Sequence, residues 1–180
     1  MLNVRFFKSF GQGTAFTLGY ILILYATLPF TPDLIKWVRG TGAFQAFVLG
    51  PFALSVPLLG YVGIKTETYK NSSFWVSLLA LGLMFNLISK NVIAPVELLH
   101  LMLYGIMCVL LFSLLSFRFS GATLYILSAF ATALFGAIDE VIQYYLPNRV
   151  FGWNDIVFNI LGGMMALVII RFVFGDKGEK

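Results

Sequence analysis

The 180-residue chain is 59% hydrophobic and only 11% charged, with a formal net charge of +4, whereas a soluble chain is roughly 45–50% apolar and about 25% charged. A helix of about 20 apolar residues crosses a bilayer core of about 30 Å, so several spans use up the length and exclude a separate water-soluble catalytic domain. No basic run suggests a nucleic-acid partner, and the single cysteine, Cys108, sits in an apolar stretch, which excludes an intramolecular disulfide or a thiolate metal cluster.

In chain order, Leu2, Phe6 and Phe10 recur at helical spacing beside Arg5 and Lys8, so residues 1–12 read as a short segment lying in the membrane interface. Apolar runs bounded by charge, proline or glycine then predict six helices, over about 13–30, 45–64, 73–90, 94–117, 121–146 and 153–174. The first is too long for a secretory signal and lacks a small-x-small cleavage site, so it reads as an uncleaved span. Lys36 and Arg39, beside Trp37, suggest an interfacial stretch after it. Gly50-Pro51 and Pro57 interrupt the second run and predict a kink, because proline removes a helical donor. No internal repeat and no low-complexity segment is evident. The expected fold is all-α: one polytopic transmembrane bundle over residues 1–180 with about six spans.

Lys and Arg resist translocation. With the N-terminus inside, eight of the twelve cations (Arg5, Lys8, Lys65, Lys70, Arg118, Arg171, Lys177 and Lys180) fall on the cytoplasmic side, against Lys36, Arg39, Lys90 and Arg149. Both termini are therefore expected in the cytoplasm.

Ionisable groups at membrane depth are costly unless they pair, face a cavity or serve a function. The fourth span starts with Glu97 and His100, followed by Tyr104; the fifth ends with Asp139, Glu140 and Gln143; Arg149 follows, and the sixth starts with Asp155 and Asn159. Alternating spans place these three ends on one side of the bilayer, the outer side by the cation count. Four of the eight acids, the only histidine and Arg149 are thereby expected in one layer. Residues three, four and seven apart share a helix face, so Glu97, His100 and Tyr104 form a stripe, as do Asp139 with Gln143 and Asp155 with Asn159.

These residues support several kinds of chemistry. His100 with Glu97, Asp139 or Glu140 is a candidate general acid/base set. Arg149 suits a phosphate or carboxylate through its planar fork of donors, with Tyr104, Gln143, Asp155 and Asn159 as further ligand contacts. Asp155 or Asn154 also fits a helix cap, and Asn86, Gly136, Ala137, Gly162 and Gly163 fit close helix packing. Glu97-x-x-His100 occurs in carboxylate-bridged metal bundles, but such sites use the element twice and here it occurs once. No cofactor is therefore expected, with a divalent metal as the less favoured alternative. No activated serine or cysteine is visible, which disfavours covalent catalysis and leaves open whether the protein is an enzyme.

The run Gly136-Ala137-Ile138-Asp139-Glu140-Val141-Ile142-Gln143, then Pro147-Asn148-Arg149, then Asp155 to Asn159 with Gly162 after it, closely resembles the signature of the VanZ-like family. His100-x-x-x-Tyr104 resembles that family's earlier polar element, and the likeness covers about residues 95–174. Where members often carry an Asp-Lys pair before the histidine, this chain has Pro95-Val96-Glu97. The resemblance implies a multi-pass protein of the bacterial plasma membrane, associated through the family's namesake with resistance to the glycopeptide teicoplanin. The expected function is a polar pocket at the extracytoplasmic leaflet that binds or modifies a lipid or lipid-linked cell-wall precursor. The alternatives are an intramembrane acid/base or metal-dependent hydrolase or transferase, and a small proton-coupled transporter.

Overall fold

The computed structural model describes residues 6–91, 97–147 and 149–173. Among them, seven α-helices follow one another: α1 (Phe10–Thr27), α2 (Thr31–Gly40), α3 (Phe44–Lys65), α4 (Ser72–Asn91), α5 (Glu97–Leu115), α6 (Gly121–Tyr145) and α7 (Trp153–Val173). Short 3₁₀ turns, Leu28–Phe30 and Thr68–Lys70, join α1 to α2 and α3 to α4, and no strand occurs among the described residues.

Several helix boundaries are legible in local chemistry. Ser9 caps α1, its hydroxyl accepting from the backbone N–H of Gln12. Pro32 stands in the first turn of α2, where its missing donor costs nothing, and Asp33 and Arg39 complement the two ends of the helix dipole. This short helix lies where the sequence suggested an interfacial stretch, and it exposes Lys36, Trp37 and Arg39. A helix continues through Pro51 and Pro57 without a break.

Five helical stretches are long and apolar enough to cross a membrane: Phe10–Gly40, Ala46–Lys65, Glu97–Leu115, Gly121–Tyr145 and Trp153–Arg171. In α4 the described apolar stretch is shorter, Ser72–Asn86. Packing nonetheless requires α4 to return across the bundle. Val48 near the start of α3 meets Leu98 near the start of α5 and Phe158 near the start of α7, so these three helices run the same way. Helix α1 is antiparallel to them: Gly13 lies against Leu114, at the end of α5, and Leu24 packs with Tyr104, nearer its start. Five of the helices thus have the length and apolarity of a span, close to the expected six, and α4 runs back between α3 and α5.

At one end of the bundle the Phe6 backbone N–H donates to Ser113 Oγ, Phe7 is buried, and Arg118 stacks over Phe10. Ile170, near the end of α7, packs there with Phe112 and Leu124. The first and last described residues therefore lie at the same end of the bundle. Residues 1–5 of the expected interfacial segment lie outside the described residues, as do residues 174–180.

Helices α5 and α7 approach each other most closely. A Cβ on Gly162 would run into the backbone of Leu101, with Leu101 Cα at 2.8 Å, and one on Gly105 would meet the Gly162 carbonyl oxygen at 3.4 Å. Small residues let the two backbones approach where no hydrophobic force drives helices together in lipid. Helix α1 is fastened to this core by two phenols: Tyr20 donates to the Leu103 carbonyl at 2.7 Å and Tyr25 to the Phe135 carbonyl at 2.8 Å. Tyr20→Phe removes one such bond and keeps the ring, so stability in detergent should fall by about 1 kcal/mol, read as a small drop in Tm.

Candidate functional site

The end of the bundle opposite Phe6 carries the polar layer. The starts of α5 and α7, the end of α6 and the α6–α7 connection converge there, with the end of α1 beside them. A cleft of about 420 Å³ opens between α1–α2 and the α5–α6 pair. Its polar lining includes Glu97, His100, Tyr104, Asp139, Gln143, Arg149 and Asp155, and its apolar lining includes Ile23, Leu24, Leu28, Ile35 and Leu103. Seven of the nine candidate residues thus share one cleft. Glu140 and Asn159 do not line it; both lie behind it, fully buried.

The sequence explains this division. Asp139 and Glu140 are consecutive, so on a helix of 3.6 residues per turn they point about 100° apart. Asp139 shares a face with Gln143 and turns toward the cleft, where it faces Tyr104, Gln143, His100 and Arg149. Glu140 turns toward the α6–α7 connection, where its Oε2 accepts the backbone N–H of Gly152 at 2.9 Å. Gly152 is crowded on its other side, since a Cβ there would stand 2.8 Å from Asp155 Oδ2.

Asn159 organises the histidine. Its Nδ2 donates to the Gly136 carbonyl at 3.4 Å, which leaves Oδ1 pointing at His100 Nδ1, 2.9 Å away. An amide oxygen accepts only, so Nδ1 carries the proton and a neutral His100 keeps the Nε2 lone pair for another partner. Gly136 is what permits the contact, because a Cβ there would stand 2.8 Å from Asn159 Cβ. His100 also stacks parallel to Tyr104, with ring centres 6.4 Å apart.

Glu140 Oε1 and Arg149 Nε are buried without a hydrogen-bond partner, and Tyr104 Oη and Gln143 Nε2 have only the Asp139 carboxylate to turn to, in loose geometry. Buried polar groups are normally well paired, and this gathering of poorly satisfied ones in a single layer distinguishes the region. Ligand atoms of His100, Asp139 and Glu140 all lie within 4.8 Å of one another. Among the described residues neither Asp139 nor Glu140 has a Lys or Arg within ion-pair distance; the ion pairs formed there, Lys36–Asp33 and Lys70–Glu67, are on exposed surface.

The contribution of α1 is what the polar motifs do not announce. Tyr20, Leu24 and Leu28 complete the cleft. A signal for an inward face is present in the sequence, since Thr17, Ile21, Leu24 and Leu28, spaced four, three and four apart, are buried.

No curated protein and no solved structure matches the chain. The family model described as VanZ/LLP1 matches residues 3–174, nearly the whole sequence and well beyond the polar region that carries the motif. The chain is a membrane-helix bundle that belongs to the VanZ/LLP1 family.

Proposed function

We propose that the cleft is a binding site, at the extracytoplasmic leaflet of the bacterial plasma membrane, for a lipid or lipid-linked cell-envelope component whose polar head carries phosphate or carboxylate. The observation that supports this reading is the joint lining: Arg149, Gln143, Tyr104 and His100 border the same space as Leu24, Leu28, Ile35 and Leu103. A wholly polar metabolite would leave the α1–α2 wall unused, and a wholly apolar one would strand the Arg149 guanidinium. An amphiphile satisfies both. Its head group accepts from Arg149, whose fork of donors suits two oxygens at once, while its chain leaves toward the exposed apolar surface of α1, where Leu22 and Ile23 face outward. Protection against a glycopeptide acting at the cell surface, as the family resemblance implies, would follow from binding or altering such a component.

Native mass spectrometry of the detergent-purified protein tests the reading. Wild-type protein is expected to retain an anionic lipid that Arg149→Ala binds about tenfold to a hundredfold less tightly, the effect of losing hydrogen bonds to a charged group. The same lipids in the same proportions on both proteins would overturn it.

A second reading, turnover rather than binding alone, draws on the free Nε2 of His100 beside two buried carboxylates. These are the parts of a general acid/base device, and conversion of the retained lipid-linked component by wild type but not by His100→Ala would separate turnover from binding.

A further inference from the structure

We infer that His100, Asp139 and Glu140 form the protein part of a binding site for one first-row divalent cation, of the kind represented by Zn²⁺ or Mn²⁺. Three features converge on it.

First, the donors are close. Their ligand atoms fall within 4.8 Å of one another, and donors each about 2.1 Å from one such ion stand about 3.4 Å apart at tetrahedral angles. Side-chain rotations of about an ångström close the difference. Second, the carboxylates are buried and have donor capacity to spare. Asp139 is 2% and Glu140 0% exposed, Glu140 Oε1 has no hydrogen-bond partner, and Asp139 faces only the neutral Tyr104 and Gln143 among its hydrogen-bonding neighbours. Third, the groups behind the donors already hold them in ligating form. Asn159 takes the proton side of His100 and leaves Nε2 bare, and the Gly152 N–H holds Glu140 by Oε2 while Oε1 stays open. Fixing a histidine through its second nitrogen and a carboxylate through its second oxygen is how outer-layer hydrogen bonds prepare a metal site.

Charge and donor type choose the ion. When ionised, two carboxylates beside a neutral imidazole bring two negative charges into a region where burying even one is costly, and a divalent cation cancels both. One nitrogen and two oxygens form a mixed donor set: imidazole favours zinc and its neighbours, and carboxylate favours manganese or magnesium. Three protein ligands leave open coordination positions. His100 and Asp139 border the cleft beside Arg149, so an oxygen of a bound head group can approach the ion there.

The ligand set differs from the one suggested by spacing alone. Glu97-x-x-His100 lies on one helix, whereas the clustered donors come from α5 and α6 and leave Glu97 outside the triplet.

The test uses full-length protein purified in mild detergent without a polyhistidine tag, which would bind the same ions. Elemental analysis follows chelator treatment, reloading with Zn²⁺ or Mn²⁺, and desalting, and thermal unfolding is recorded with and without each ion. Wild type is expected to hold about one ion per chain and to unfold at a higher temperature when loaded. His100→Ala, Asp139→Asn and Glu140→Gln should each fall below about a tenth of an ion, and Asp33→Asn, an exposed acid on α2, should bind like wild type. Asn159→Ala keeps all three donors and should weaken binding about tenfold to a hundredfold, which guards against a donor variant that merely fails to fold. The inference is overturned if neither ion binds wild type, or if Glu140→Gln binds normally while Glu97→Gln does not. No lipid is required in this assay, so its outcome is separable from that of the lipid-retention experiment.

Discussion

Gly162→Ala is expected to separate α5 from α7 and to reduce stability by about 3 kcal/mol, at the upper end of the usual cost of overpacking. The reason lies in what the new methyl group meets. Its neighbours are the carbonyl oxygen, Cα and carbonyl carbon of Leu101, and backbone in the middle of a helix cannot rotate aside as a flexible side chain can. The helices must move apart, and the damage reaches the site, because α7 carries Asn159 and α5 carries His100, whose 2.9 Å contact spans the same interface. For a chain of this size the loss corresponds to a fall in Tm of about 6–12 °C, measurable by thermal unfolding in detergent. Gly82→Ala is the control. That residue is also inside a helix, but a Cβ there meets nothing within 4 Å, so the same substitution should leave Tm near that of wild type. Equal behaviour of the two variants would contradict the close α5–α7 approach.

The polar layer of α5 to α7 is legible in the sequence because it depends on two robust regularities, helical spacing and the alternation of spans across a bilayer. Neither needs side-chain detail. They suffice to group Glu97, His100, Tyr104, Asp139, Gln143, Arg149 and Asp155, which border one cleft. What spacing cannot show is which way each member turns. That Glu140 points away from the cleft and is held by Gly152, twelve residues on, depends on the path of a connection with no regular structure. The Asn159 amide bridging α6 to α5 through the Gly136 carbonyl and His100 depends on the distance between backbones, which two glycines set and no pattern announces. Gly136 and Gly162 are readable as packing residues, but not which neighbour each admits.

The first half of the chain shows the converse. It carries no polar motif, and its share in the cleft comes from shape: α1 presents Tyr20, Leu24 and Leu28, and α2 continues the wall with Thr31, Pro32 and Ile35. The joint after the first span is a helix because the run Thr31–Gly40 has proline in its first turn, an acid near its start and a base near its end. Those are ordinary helix signals. Hydropathy hides them, since a stretch of ten residues with three charges fails any test for crossing a membrane.

Under the proposed function, Asp139→Asn, Glu140→Gln and Arg149→Ala are each expected to abolish protection against a glycopeptide while leaving the amount of membrane-inserted protein close to wild type. The measurement is growth of a susceptible host across a teicoplanin series, each variant compared with wild type and with a host lacking the gene, alongside quantification in isolated membranes. The two readouts should part because they rest on different physics. Insertion depends on apolar length, and none of these changes removes an apolar residue from a span; the two amide replacements make the helix cheaper to bury, since they delete a charge at membrane depth. Function depends on charge and donor geometry. Asp139→Asn and Glu140→Gln keep size and shape and remove the negative charge that a cation or a proton-transfer step requires, and Arg149→Ala removes the one guanidinium that borders the cleft among the described residues. The milder substitution Arg149→Lys keeps the positive charge without the planar fork and should retain only part of the phenotype. Full activity in all three charge-removing variants, at normal membrane levels, would overturn the proposed role of these groups in the cleft. Loss of protein from the membrane would instead assign these groups to holding the helices together.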